Sequence, residues 1–267
     1  MRPRAFTVAA LVALAGCSAR VTVPQEDGGP PGGVTIHGRI FDLESCPDGC
    51  LVVVAAVVSL VSDQGVVSAP TGPDGAFALA GVPRQSTQRL RAETTTAMGQ
   101  TYVTTVNANA VEVGAEDLFG VELYMLSAAD TDLLGAIAAE SGRDLRVEGG
   151  YVGEVIRRDP EPAAVTGAKV ELFPGDFPMR YVNVIPRWVT GEPALQPAAA
   201  TGTSGYGLFV VATYSDPQEL GVHVTATGLG FEPLLVPMAT GALAFGLHVG
   251  TPVAQDGGAP VDASAVH

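Results

Sequence analysis

Apolar runs in this chain are short, and nearly every one ends at Gly, Pro, Asp or Asn. That brevity is the tightest constraint on what the chain can fold into. Val, Ile and Thr suit a pleated surface, and Gly and Pro punctuate it, so the pattern reads as strands between turns rather than as long helices. With 33 Gly, 20 Pro and only 6% aromatic residues in a chain that is 47% hydrophobic, the apolar content is mostly Val, Ala and Leu. Strands are expected at 34–41, 52–61, 76–79, 89–95, 102–106 and 119–125, then at 147–156, 168–173, 208–213, 221–227, 234–237 and 244–249. Both halves are therefore all-β. In Leu51–Val61 only Ser59 is polar, which predicts a strand covered on both faces, too short to span a bilayer.

The first residues differ in kind. Arg2 and Arg4 precede an apolar run, Ala5–Ala15, that ends at Gly16-Cys17. This is a signal-peptide layout, since the run is about half the roughly 20 residues a spanning helix needs. Leu14-Ala15-Gly16-Cys17 resembles the lipobox of bacterial lipoproteins. That resemblance implies removal of residues 1–16 and lipid on Cys17, with two or three acyl chains holding the protein stably on a membrane. Ser18 is not the aspartate that marks inner-membrane retention in many such proteins, so the expected address is the cell envelope, at the outer membrane. The alternative is an ordinary secretory signal with a chance cysteine.

Loss of Arg2 and Arg4 takes the formal charge from −14 to −16, which excludes nucleic acid as a partner and disfavours anionic lipid heads. Cys46 and Cys50 flank Pro47-Asp48-Gly49, and in an oxidising compartment such a turn can bring them together as a disulfide. A metal site would need two further ligands, and His37, His223, His248 and His267 show no ligand spacing. No metal and no cofactor are expected.

Residues 17–33 form a Gly- and Pro-rich tether, and 251–267 a similar tail expected to be disordered. Between them lie a β-sandwich domain at 34–126, a helical linker at 127–146 and a second sandwich at 147–250, with an insertion at 174–200. In the linker, Ser127 or Asp130 could cap a helix in which Leu133, Leu134, Ile137 and Ala138 form one stripe. The two halves align: Ala56–Leu60 with Ala168–Leu172, Thr71–Phe77 with Thr201–Gly207, and Leu90–Thr94 with Val222–Ala226. A duplicated domain is the economical explanation.

Gly38-Arg39-Ile40-Phe41-Asp42, Ala56–Leu60, Thr71–Phe77 and Gly81-Val82-Pro83 together resemble the carboxypeptidase regulatory-like family of transthyretin-type (prealbumin-like) β-sandwiches. The second copy is similar through Gly153-Glu154-Val155, Gly167–Leu172, Thr201–Gly205 and Val224–Phe231, although Gly207 stands opposite Phe77 in that alignment. The resemblance implies two tandem sandwiches and no catalytic residues, because the family module is an accessory domain.

No nucleophile elbow, His-Glu-x-x-His, P-loop or dinucleotide fingerprint is present, so the chain is expected not to be an enzyme. Its expected role is a lipid-anchored structural or interaction module for another envelope protein. The insertion offers an alternative: Phe177, Tyr181, Arg187 and Trp188 on a loop could stack on a sugar ring and bind polysaccharide. Otherwise these rings cover the open face of a small sandwich.

Overall fold

The computed structural model describes residues 32–43, 45, 50–94, 102–138, 144–159, 161–173, 177–185, 194–198, 201–212 and 219–253. The first half supplies β1 (Gly33–Asp42), β2 (Val57–Leu60), β3 (Ala76–Pro83), β4 (Ser86–Gln88), β5 (Leu90–Glu93), β6 (Thr105–Asn107), β7 (Val111–Val113) and β8 (Leu118–Met125). Helices α1 (Ala128–Ala138) and α2 (Leu145–Glu148) follow. The second half supplies β9 (Gly150–Arg157), β10 (Ala163–Ala164), β11 (Lys169–Phe173), β12 (Met179–Ile185), β13 (Ala194–Pro197) and β14 (Leu208–Ala212). It continues with β15 (Glu219–Thr225), β16 (Leu229–Gly230), β17 (Leu234–Pro237) and β18 (Leu243–Pro252). The protein is mostly β, as the short apolar runs require.

The halves are wired alike. β1 pairs antiparallel with β3 and parallel with β8. β9 pairs antiparallel with β14 and parallel with β18. β2 pairs with β5 as β11 pairs with β15. In the first half, residues of β1, β3 and β8 bury a core with those of β2 and β5, including Ile36, Ile40, Val58, Leu79, Leu90 and Met125. The second core joins Tyr151, Val155 and Phe209 to Val170, Val222 and Val236. Each is a two-layer packing of sheet on sheet.

Hydrogen bonds fix how the repeats superimpose. Thr71 donates its N–H to Ala56 O at 2.8 Å, accepts Ala56 N–H at its hydroxyl at 3.0 Å, and donates that hydroxyl to Val53 O at 2.8 Å. Thr203 does the same with Ala168 N–H at 3.0 Å, Ala168 O at 2.9 Å and Val165 O. The equivalent of Thr71 is therefore Thr203, two residues beyond the position expected from sequence. With that shift Gly75 (φ 69°) matches Gly207 (φ 68°), both in the left-handed region that glycine tolerates best. Phe77 then matches Phe209, so the second copy retains the aromatic that its sequence alignment lacked. Each ring lies over a glycine: a Cβ on Gly38 would approach the Phe77 ring to 2.6 Å, and one on Gly153 would approach Phe209 to 2.2 Å.

Several local expectations change. The strand expected from residue 147 starts only at Gly150, because Leu145–Glu148 form the capped helix α2, and Thr251 and Pro252, expected in the tail, belong to β18. The run 52–61 forms a strand only at Val57–Leu60, because Ala55 takes φ 59° and turns the chain; Val52 makes only an isolated bridge to Phe41. Within that strand Val58, Ser59 and Leu60 are all buried, as a strand covered on both faces requires. The 174–200 insertion is no loop in its described part. β12 pairs with β14 and with β13, widening the sheet by two strands. In α1, Ser127 is the cap: its hydroxyl accepts Asp130 N–H at 3.1 Å and bonds back to the Asp130 carboxylate, satisfying groups the first turn leaves open. Leu134, Ile137 and Ala138 are buried, whereas Leu133 is exposed.

The sheets of the two halves are not separate. β18 pairs in parallel with β9 on one side and with β6 on the other, so eight strands run β13-β12-β14-β9-β18-β6-β5-β2, and β10 on β9 and β16 on β18 bring the sheet to ten. A third core, with Leu126, Leu134 and Ile137 against Val152, Val210 and Phe245, packs α1 onto this sheet.

Candidate functional site

The join between the halves is the most distinctive place in the molecule. Leu243, Ala244 and Phe245 pair with Thr105, Val106 and Asn107. Leu243 N–H donates to Thr104 O at 2.9 Å, and Ala108 N–H donates to Phe245 O at 2.8 Å. Where β6 ends, the Asn109 side chain continues the ladder, accepting Leu247 N–H at 2.7 Å and donating to Leu247 O at 2.9 Å. Arg89 also crosses the join, donating to Ala108 O at 3.3 Å and to Leu235 O at 2.8 Å.

Beside this ladder β8 parts from β6 and leaves a cavity of about 160 Å³, smaller than the roughly 300 Å³ at which ordinary small-molecule pockets begin. Its polar wall includes Asn107, Glu122, Tyr124 and Arg158, and its apolar part includes Phe245 and Leu247. Tyr124 packs against Phe245 with ring centroids 5.2 Å apart and donates its hydroxyl to Glu122 at 2.9 Å. Burial foremost, and then the neighbouring Glu122 carboxylate, push its phenol well above the usual tyrosine range. Glu154 stands next to Leu247 in the β9–β18 register, and burial lifts its carboxyl to about 7.

A second buried polar pair lies inside the second core. The Tyr151 hydroxyl and His248 Nε2 are 2.7 Å apart, while His248 Nδ1 is buried with no partner. Burial lowers the imidazole to about 4 and raises the Tyr151 phenol. The ring is thus neutral at ordinary pH, packed against Tyr151 and Phe209. Among the described residues no group of three or more His, Cys, Asp or Glu could hold a metal ion. Among them, too, no helix is long and apolar enough to cross a membrane.

Of the residues singled out from sequence, Cys17, Cys46, Arg187 and Trp188 lie outside the described residues. Cys50 is described, beside a loop base where Ser45 Oγ accepts Leu51 N–H at 2.6 Å and donates to Asp42 O at 2.7 Å. Phe177 and Tyr181 are half-buried and pack together against the second core. Tyr181 accepts Val170 N–H at 3.0 Å, taking the part that Ser68 plays toward Val58 N–H, also at 3.0 Å. These two rings cover the sandwich, and the hydroxyl is engaged by backbone.

Sequence reasoning did not find Asn109, Glu122, Tyr124 or Arg158, since they come from separate segments and form no motif. The one available signal was Glu154, a carboxylate within the apolar run Tyr151–Ile156.

No protein-family model matches the chain, and no curated protein is similar to it at a significant level. Among solved structures, a variant of a shaft pilin from Lactobacillus rhamnosus GG is similar with 11% identity over 83% of this chain and 99% of that one, at a TM-score of 0.25. A streptococcal ancillary pilin is similar with 9% identity over 84% of this chain and 64% of that one, at 0.24. A family 26 carbohydrate-binding module from Eubacterium rectale, in complex with maltoheptaose, is similar with 11% identity over 84% and 98%, at 0.25. Likeness at this level does not amount to a shared fold.

Proposed function

We propose that this chain is a non-enzymatic envelope lipoprotein, anchored at the outer membrane through acylated Cys17. In this reading two carboxypeptidase regulatory-like sandwiches act together as a spacer and interaction module for another envelope protein. The observation that carries it is the β6–β18 ladder. Two sandwiches joined only by a flexible segment would swing independently. A shared ladder, reinforced by Asn109 and Arg89, makes them one body. A rigid body on a membrane tether suits a spacer and interaction module better than a catalyst, which needs a cleft with positioned acid, base or nucleophile.

The test has two parts. Cys17→Ser should release the protein from the membrane fraction and abolish metabolic labelling with a fatty acid. Photocrosslinkers at the exposed positions Phe119, Phe173 and Leu235 should then capture one envelope protein in cells with the native anchor and lose it with Cys17→Ser. Hydrolysis of peptides, esters or glycosides by the purified chain, abolished by a single substitution, would overturn the reading.

A further inference from the structure

The cavity at the join presents opposite charges that do not meet. Arg158 and Glu122 both line it, yet among the described residues Arg158 makes no hydrogen bond or ion pair, and Glu122 is engaged only by the Tyr124 hydroxyl. Asn107 Oδ1 accepts Asn109 N–H at 3.2 Å, and its amide N–H groups have no acceptor among the described residues. Asn109 itself is fully committed to Leu247. The groups with remaining capacity are thus a guanidinium and an amide that donate, and a carboxylate that accepts. Phe245 and Leu247 give the rest of the wall an apolar surface.

We propose that this cavity binds a small apolar α-amino acid as its zwitterion. Its carboxylate takes Arg158 and Asn107, its ammonium takes Glu122 beside the Tyr124 ring, and its side chain lies on Phe245 and Leu247. A guanidinium holds a carboxylate by paired N–H donors, and an aromatic face next to a carboxylate favours an ammonium. The modest volume restricts the side chain to a few carbons. Glu122 and Arg158 are both exposed at the cavity mouth, and since a lone anion would meet repulsion from Glu122 and a lone cation repulsion from Arg158, a ligand carrying both charges matches the wall best. Because the cavity is walled by residues of both halves, the ligand would also bridge them.

The probe is L-valine, titrated into the purified chain while the backbone amide signals of Phe245 and Leu247 are followed by NMR. The expected result is saturable shifts at both, with isovalerate, which is valine without its ammonium, and isobutylamine, which is valine without its carboxylate, each binding at least about tenfold more weakly, the loss of one charge-assisted contact. Arg158→Gln and Glu122→Gln should each weaken valine by about tenfold or more, while urea unfolding shows both variants folded. The second substitution discriminates by the sign of its effect on valine itself, since a site that held only the carboxylate would bind valine no more weakly once Glu122 is neutral, whereas the zwitterion site binds it more weakly. Absence of saturable shifts, affinity unchanged in both variants, or isovalerate equal to valine overturns the proposal.

Discussion

Asn109 completes the edge of β18 by offering Leu247 an acceptor at 2.7 Å and a donor at 2.9 Å, so a side chain does there what a further residue of β6 would have done with its backbone. It ties residues 138 positions apart in sequence and belongs to the ladder that unites the two halves. Asn109→Ala leaves the Leu247 N–H and carbonyl without these partners. The expected cost is about 1–3 kcal/mol in urea unfolding, with faster hydrogen exchange at Leu247 than at Tyr151. Exchange at both amides rising equally would mean the loss is global, not seated at the join.

Stability should respond to pH through two opposed groups. The Glu154 carboxyl sits near 7 in the fold against 4.5 for an ordinary glutamate, so the stability tied to its neutral form is complete below about 4.5 and is lost as pH rises through 7. His248 sits near 4 against 6.5, so its contribution is present above about 6.5 and is lost as pH falls through 4. Each is worth on the order of 3 kcal/mol, and they oppose one another between. Glu154→Gln removes the first, so the stability difference, variant minus wild type, should grow with pH from about 4.5 to 7. Parallel pH profiles for the two proteins would contradict this.

The repeat predicts reciprocal effects at one turn. Ala55 (φ 59°) and Gly167 (φ 77°) occupy equivalent positions, each donating its N–H to the carbonyl of the turn threonine, Thr71 or Thr203. A Cβ on Gly167 would touch nothing within 4 Å, so the cost of adding one lies in the backbone alone. Gly167→Ala should lower stability by about 1 kcal/mol, and Ala55→Gly should raise it by up to about the same amount. Thermal unfolding of the two single variants checks both signs.

Cys46 and Cys50 are expected to form a disulfide across Pro47-Asp48-Gly49, at a loop whose base Ser45 already closes. Intact-protein mass spectrometry of the protein purified without reductant should show a mass lower by the two thiol hydrogens, restored by reductant. Removing the bond should cost about 2 kcal/mol, the low end for a disulfide, since a loop this short contributes less entropy on closure than a long one.

Much of the fold was legible because strands announce themselves locally. The β17 strand lies where its Leu-Leu-Val-Pro run predicts, and β8 begins one residue early. Residues 52–56 read as strand in the sequence but do not form one, because Ala55 at positive φ leaves no mark in composition. The insertion was read as a loop because its partner, β14, lies beyond it in sequence. The repeat itself was visible, yet its alignment slipped by two residues, since Thr201 and Thr203 look alike until the hydroxyl bonding to Ala168 and Val165 distinguishes them.

Short-range chemistry accounts for what the linear chain declares about its fold: the strand periodicity and the turn glycines. Each depends on neighbours a few residues apart, and the amino-acid order states those directly. The join between β6 and β18, and the cavity gathered from β6, β8, β18 and Arg158, belong to the folded molecule alone. Nothing in a strand's own residues says which edge it will seek. That choice rests on burying the third core while leaving the fewest backbone groups unpaired, a condition only the assembled sheets can meet.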